Sequence, residues 1–209
     1  MQQRSTNPGG HPTTTACLIG LFCCVSLLIP LCFSQTAKAR LIGPAASMQA
    51  KLDAIEKNGE RDTPKQLTTQ FSENEVNAYL NSGAVKIPEG VHNLRLVGDE
   101  GVVVGTARAD FDEIKAGRRG SLNPLLALFS GVHDIRVSAH AVGRGGTGVV
   151  DVDSVEIDGT AVPRVAIELF VDHYLKPKYP EVGMHSTFQM PDQIDTATVG
   201  AHVLTVIQK

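Results

Sequence analysis

Apolar residues recur at helical spacing in the segment from Gly43 to Glu60, where Met48, Leu52 and Ile55 lie three or four positions apart. Pro44 suits the first turn of that helix. The stretch "KQLTTQF" predicts a short strand that runs into a second helix, "FSENEVNAYLNSG". In that helix Ser72 and Glu75 form a capping box, and Phe71 and Val76 occupy the two positions of a hydrophobic staple. Glu73 complements the positive helix start, Val76, Tyr79 and Leu80 make the apolar stripe, and Gly83 supplies the left-handed stop. The polar cluster of this segment thus has structural work at nearly every position.

Beyond Gly83 the period changes from helical to alternating. Leu94 and Leu96 alternate with Asn93 and Arg95, "GDEG" turns the chain, and Ala107, Ala109 and Phe111 alternate with Thr106, Arg108 and Asp110. This predicts a hairpin with one dry face. "FDEIKAGRRGS" reads as a polar, basic connection, and "NPLLALFSG" as a short helix capped by Asn123 and stopped at Gly131. A second hairpin follows, with Ile135, Val137, Ala139 and Ala141 dry, "GRGGTG" at the turn and "VVDVDSVEI" returning. The apolar phase slips near Ser154, because Val155 and Ile157 take the opposite parity to Val150 and Val152; this predicts a β-bulge. "VPRVAIELFVDHYL" predicts an amphipathic helix with Val162, Val165, Ala166, Leu169, Phe170 and His173 inside. "STFQMP" and "DTATVGAHVLTVIQ" predict the final strands. Strands joined by tight turns imply an antiparallel sheet. Dry faces rich in Ala, Val and Gly suit a sheet that curves closely round a helix or a ligand. The fold class expected is α+β, one domain, a strongly curved antiparallel sheet packed around helices.

The N-terminus has a different pattern. After a polar lead holding Arg4, the run "ACLIGLFCCVSLLIPLCF" from Ala16 to Phe33 carries no charge, and Ala37-Lys38-Ala39 fits a signal-peptidase site. Residues 1–39 read as a signal peptide or, if uncleaved, as a membrane anchor at the short limit of a span. Residues 40–209 form the expected domain, exported to the periplasm or the extracellular space. All four cysteines (Cys17, Cys23, Cys24 and Cys32) lie in the leading segment, so the domain has no disulfide framework, thiolate nucleophile or cysteine metal site.

Charge and composition exclude further classes. Arg4 and Lys38 are the two cations of the first 39 residues, so the domain carries 17 of the 19 Lys/Arg against 22 Asp/Glu, a net −5. With no basic face and no Trp, nucleic acid is not an expected partner. "GRGGTG" satisfies G-x-G-x-x-G at Gly143, Gly145 and Gly148, but a strand follows where the dinucleotide motif needs a helix. Asp151, Asp153, Glu156 and Asp158 fail the calcium-loop pattern, since Val155 stands at a ligand position. The six histidines of the domain show neither HExxH nor His-x-His, although His140 and His202 sit on predicted strands. No serine lies in G-x-S-x-G. No catalytic residue, cofactor or metal is expected. The apolar "LLALF" after Lys115, Arg118 and Arg119 reads either as a core helix behind a solvated loop or as a contact with an anionic membrane surface.

The strand followed by "FSENEVNAYL" resembles the S-E-x-E-[VI]-N-x-[YL]-L opening of bacterial envelope proteins of the tubular lipid-binding (TULIP, SMP-like) type. The resemblance is sharp over about ten residues and architectural over the rest. It implies a long curved sheet wrapped round a helix, a groove holding acyl chains, and no catalytic residues or cofactor. The chain departs from that type in lacking a clear lipoprotein cysteine. The residues expected to contact a lipid or other apolar ligand are Val76, Tyr79, Leu80, Ala107, Ala109, Phe111, Ile135, Val137, Leu169 and Phe170. A non-catalytic structural or interaction module of the envelope, and a hydrolase with a dispersed site, stay open as alternatives.

Overall fold

The computed structural model describes residues 41–115, 129–177, 179–180 and 182–209. The proposed signal or anchor segment with its cysteines, and Asn123 to Leu128 of the expected "NPLLALFSG" helix, lie outside the described residues. Helix α1 spans Gly43–Gly59, strand β1 Leu67–Ser72, and α2 Glu73–Leu80. The first hairpin is β2 (Val91–Asp99) and β3 (Val102–Asp110), leading into the one-turn helix α3 (Phe111–Ile114). The second is β4 (Val132–Arg144) and β5 (Thr147–Ile157), followed by the two-residue β6 (Thr160–Ala161). Helix α4 (Arg164–Phe170) continues into a π-helical turn, Val171–Leu175, and β7 (His185–Gln189), β8 (Ile194–Gly200) and β9 (Val203–Gln208) complete the chain.

The fold is α+β. Among the described residues nine strands form one antiparallel sheet in the order β1-β9-β8-β4-β3-β2, with β5 along the other edge of β4 and paired in turn to β6 and β7. Strand β4 is the hub: Val132 to His140 pair with β3, Val142 and Gly143 pair with β8, and Ile135 to Arg144 pair with β5. Gly145 and Gly146, both at positive φ, make the two-residue turn between β4 and β5, which settles "GRGGTG" as a hairpin of the type that suits twisted strands. Gly148 is required for a second reason. The Phe188 ring lies 2.4 Å from where a Cβ would stand, so only glycine lets that ring cover the strand.

One sheet face carries two hydrophobic clusters. The first is covered by α1 and α2: Met48, Leu52 and Ile55 with Val76, Tyr79 and Leu80 pack on Ala139, Ala141, Val150, Val152, Leu204 and Val206. The second is covered by α4 and its π-helical extension, with Phe111 and Phe129. Alternation puts both on the same face, since Val137 belongs to the first cluster and Ile135, two residues earlier, packs against both.

Two bulges keep that face apolar. On β5, Ser154 pairs with Ser138 but Val152 pairs with Ala139, so Asp153 is the extra residue. The phase slip expected near Ser154 is therefore a bulge, and it lets Val150, Val152, Val155 and Ile157 all contribute to the interior. On β2, His92 pairs with Arg108 and Arg95 with Thr106, leaving one residue in excess, with Asn93 at φ 53°.

The inner face of α4 differs from the expectation. Val165 is 54% exposed and His173 is exposed, while Ala166, Ile167, Phe170, Val171, Tyr174 and Leu175 are buried. The α-helix ends at Phe170, and the wider π turn carries the stripe from Phe170 and Val171 to Tyr174 and Leu175, rotating His173 to solvent.

Candidate functional site

The opening helix is fixed first by its own ends. Ser72 Oγ accepts from the Glu75 amide at 3.3 Å, and Glu75 Oε2 accepts from the Ser72 amide at 2.8 Å, completing the capping box. Glu75 is buried, and α1 supplies its partners: Lys51 Nζ donates to both carboxylate oxygens at 2.6 and 2.8 Å, and Ser47 Oγ donates at 2.5 Å. Burial pushes this carboxyl up, but the hydrogen bonds from Lys51, Ser47 and Ser72 outweigh it and hold the pKa at about 2. Glu73 accepts from His202 at 2.5 Å, across the β8–β9 turn.

The asparagines have a role the sequence did not disclose. Asn77 Nδ2 donates to the Leu96 carbonyl at 2.8 Å, and Asn77 Oδ1 accepts from the Leu96 amide at 2.7 Å. Asn81 Nδ2 donates to the Leu94 carbonyl at 2.8 Å. These side chains occupy the outer edge of β2 as a neighbouring strand would. Every polar residue of the segment except Asn74 thus has a structural partner, or ends the helix.

The apolar stripe of α2 faces protein. Val76, Tyr79 and Leu80 are 2%, 3% and 3% exposed and lie in the first cluster. The Tyr79 hydroxyl donates to Gln49 Oε1 at 2.7 Å; burial, with the Asp53 charge, raises its pKa.

Between the second cluster and the edge of the first lies a cavity of about 90 Å³, and every residue lining it is apolar. On the sheet side stand Val91, Leu94 and Leu96 from β2, Ala107 and Ala109 from β3, Ile135 and Val137 from β4, and Val155 and Ile157 from β5. On the helix side are Ile167, Phe170, Val171 and Leu175, and Ile87, Pro88, Phe111, Ile114 and Phe129 complete it. Phe129 stacks on Phe170 at 4.3 Å between centroids, while Phe111 meets each edge-on, at 5.3 and 5.5 Å.

Of the ten residues expected at the site, six are gathered round this cavity: Ala107, Ala109, Phe111, Ile135, Val137 and Phe170. Leu169 packs half-buried on the same cluster without lining the cavity, and Val76, Tyr79 and Leu80 stand apart in the first cluster. Val155 and Ile157 could have been included, since their phase slip marked them as inward. Leu94 and Leu96 were also legible as dry positions. Phe129 was marked only as part of the apolar "LLALF" stretch and Val171 not at all, because their places depend on the tertiary path of the chain.

Polar chemistry is sparse elsewhere. Among the described residues no group of three or more His, Cys, Asp or Glu could hold a metal ion. His140 pairs with Asp153 at 2.7 Å and His202 with Glu73, so the two histidines serve separate carboxylates. His185 Nδ1 lies 2.5 Å from Asp151, and its Nε2 lies 3.3 Å from Thr187 Oγ1. This has the order of a nucleophile relay, but the His185 side chain is 63% exposed on an outer strand. A relay open to bulk water forgoes the low-dielectric setting that makes such groups effective. Among the described residues no helix is long and apolar enough to cross a membrane. Compared with protein-family models, curated proteins and solved structures, the chain matches none of them.

Proposed function

We propose that the protein is an exported, non-catalytic envelope protein that holds a lipid or other apolar ligand between sheet and helix. The wholly apolar, unfilled cavity under α4 carries this reading, because ligand pockets are apolar concavities that a packed core lacks. An engineered apolar cavity of about 150 Å³ is large enough to take benzene. A cavity of about 90 Å³ therefore suits one small apolar group, such as the terminal carbons of an acyl chain, with the rest of the molecule outside it. The resemblance of the α2 segment to the tubular lipid-binding type supports the same reading. We include in the proposal a single curved-sheet domain over residues 40–209, delivered by a signal or anchor in residues 1–39.

The test is native mass spectrometry of gently purified protein, with titration of a dansyl-labelled fatty acid. Co-purified apolar mass, or saturable uptake of the probe, is expected. Bare protein that takes up no probe would overturn the proposal. A second reading, an interaction module of the envelope, is favoured by one observation: among the described strands β7 pairs only with β5, leaving an edge open to strand addition.

A further inference from the structure

We propose that His133 is a pH-dependent tether on the rim of the apolar cavity, holding it closed to ligand exchange when protonated and loosening it when neutral. The inference rests on the ligand-binding reading above and adds its regulation.

His133 is the first inward step of β4 beyond Phe129, and its ring sits 6.1 Å from that of Phe111, a cavity-lining residue. Its Nδ1 lies 2.5 Å from Asp158 Oδ2, on the β5–β6 turn, and its Nε2 lies 2.8 Å from the Ser130 carbonyl oxygen. A carboxylate and a carbonyl can only accept. Both ring nitrogens must therefore donate, which only the imidazolium does. The other paired histidines carry no such requirement: His185 faces one carboxylate and one hydroxyl, and a hydroxyl also serves a neutral ring.

Through His133 the tether links the segment Phe129 to Gly131 to the β5–β6 turn beside β4. The polar ties of that segment include Lys115 Nζ donating to the Phe129 carbonyl, His133 to that of Ser130, Gly131 N to Asp112 at 3.1 Å, and the Phe111 amide to the Gly131 carbonyl at 2.9 Å. Of these, the histidine tie is the one that titrates near neutral pH.

The charged groups on the elements around the ring are Asp158 on the turn, Asp134 beside it on β4, Arg108 opposite Asp134 on β3, and Asp112 and Lys115 at α3. The bond to Asp158, then that to Ser130, raise the His133 pKa above its ordinary value, and the charges of Asp158 and Asp134 act in the same direction. The tether is thus complete below about pH 6.5, the unfolded histidine value, and is lost as pH rises through the higher folded value.

The experiment is an NMR titration of the His133 ring in the full chain, assigned with H133Q. Amide exchange at Phe111 and Gly131, and exchange of the dansyl fatty acid, are followed at about pH 5.5 and about pH 9. The expected result is a raised ring pKa, with roughly tenfold faster probe exchange and roughly tenfold lower amide protection factors (rates divided by the base-catalysed intrinsic rate) at the higher pH, the effect of one charge-assisted hydrogen bond. H133Q should show the same probe exchange rate and the same protection factors at both pH values. A ring that titrates at or below the ordinary value, or wild-type probe exchange that ignores pH, overturns the tether. Raised pKa and pH-dependent amide protection without probe uptake would uphold the tether and overturn the ligand reading.

Discussion

Filling the cavity should strengthen the fold and abolish binding together. Ala107 lines the cavity in register with Ile135, so Ala107→Ile places three further carbons against it. At about 24 cal/mol per Å³ of residual void, a cavity of 90 Å³ costs the folded state about 2 kcal/mol. A β-branched side chain also suits a strand. Some of the gain is offset by shifts of neighbouring side chains, so a net stabilisation of about 1–2 kcal/mol is expected. For a domain of this size that corresponds to a rise in Tm of roughly 2–8 °C. Urea unfolding with an unchanged m-value measures the first effect, and titration with the dansyl fatty acid measures the second, where affinity should fall at least tenfold. Destabilisation beyond about 1 kcal/mol would mean the space is not there to be filled. Stabilisation with undiminished uptake would show that the ligand sits elsewhere, and the functional reasoning would fail while the packing argument stood.

Three further outcomes follow from the same geometry. Glu75 has a folded pKa near 2 against an ordinary 4.5, so its contribution is present above pH 4.5 and is lost as pH falls toward 2. Linkage puts that contribution at about 3 kcal/mol; Glu75→Gln should flatten the acid limb of a stability–pH curve, and an unchanged limb would remove the buried pair as its cause. Asn77→Ala should cost about 1–3 kcal/mol by unpairing the Leu96 amide and carbonyl, and should raise light scattering on storage because the β2 edge is uncovered. Deleting Asp153 removes the extra residue of the β5 bulge and leaves Val150, Val152, Val155 and Ile157 in one unbroken inward alternation opposite Ala141, Ala139, Val137 and Ile135. A stability change within about 1 kcal/mol is expected, and a loss of about 3 kcal/mol or more would mean that the bulge does more than set the inward phase.

How much of this was legible in the sequence depended on the range of the physics. The α2 segment was readable because its capping box, staple and glycine stop act within the thirteen residues from Phe71 to Gly83. The β5 bulge was readable because an apolar phase slip is itself local. The β2 bulge was not: polar His92 and Asn93 give no phase to slip, and the left-handed Asn93 is a conformation that asparagine adopts without announcing it. The face of α4 was misphased because Val165 and His173 fit an ideal helical period, and the π turn that changes the period is a response to packing. Pairing of β1 with β9 joins the first described strand to the last, and no short-range pattern encodes it. Nothing local marks Asn77 and Asn81 for the β2 edge, which lies beside them only in the folded chain.

The contrast between the two clusters bears on whether the cavity is an accident. Both rest on one sheet face, and both are covered by helices. Under α1 and α2 the covering side chains are Tyr79 and the flexible or branched aliphatics Met48, Leu52, Ile55, Val76 and Leu80, which can fill irregular gaps. Under α4, β3 contributes only Ala107 and Ala109 between larger residues of β2, β4 and β5, and the facing groups include, beside Ile167, Val171 and Leu175, three phenylalanines in mutual contact. Planar rings held in edge-on and stacked contacts cannot deform into the corner that two alanines leave. A single larger aliphatic residue on β3 would remove the void, and such cavity-filling changes are readily found where nothing opposes them. A fold that tolerates a void costing about 2 kcal/mol, out of a total stability of about 5–15 kcal/mol, gives up a substantial fraction of its margin. Occupancy by an apolar group restores those contacts, so the stability of the α4 end should rise with ligand while that of the α1–α2 end stays nearly constant.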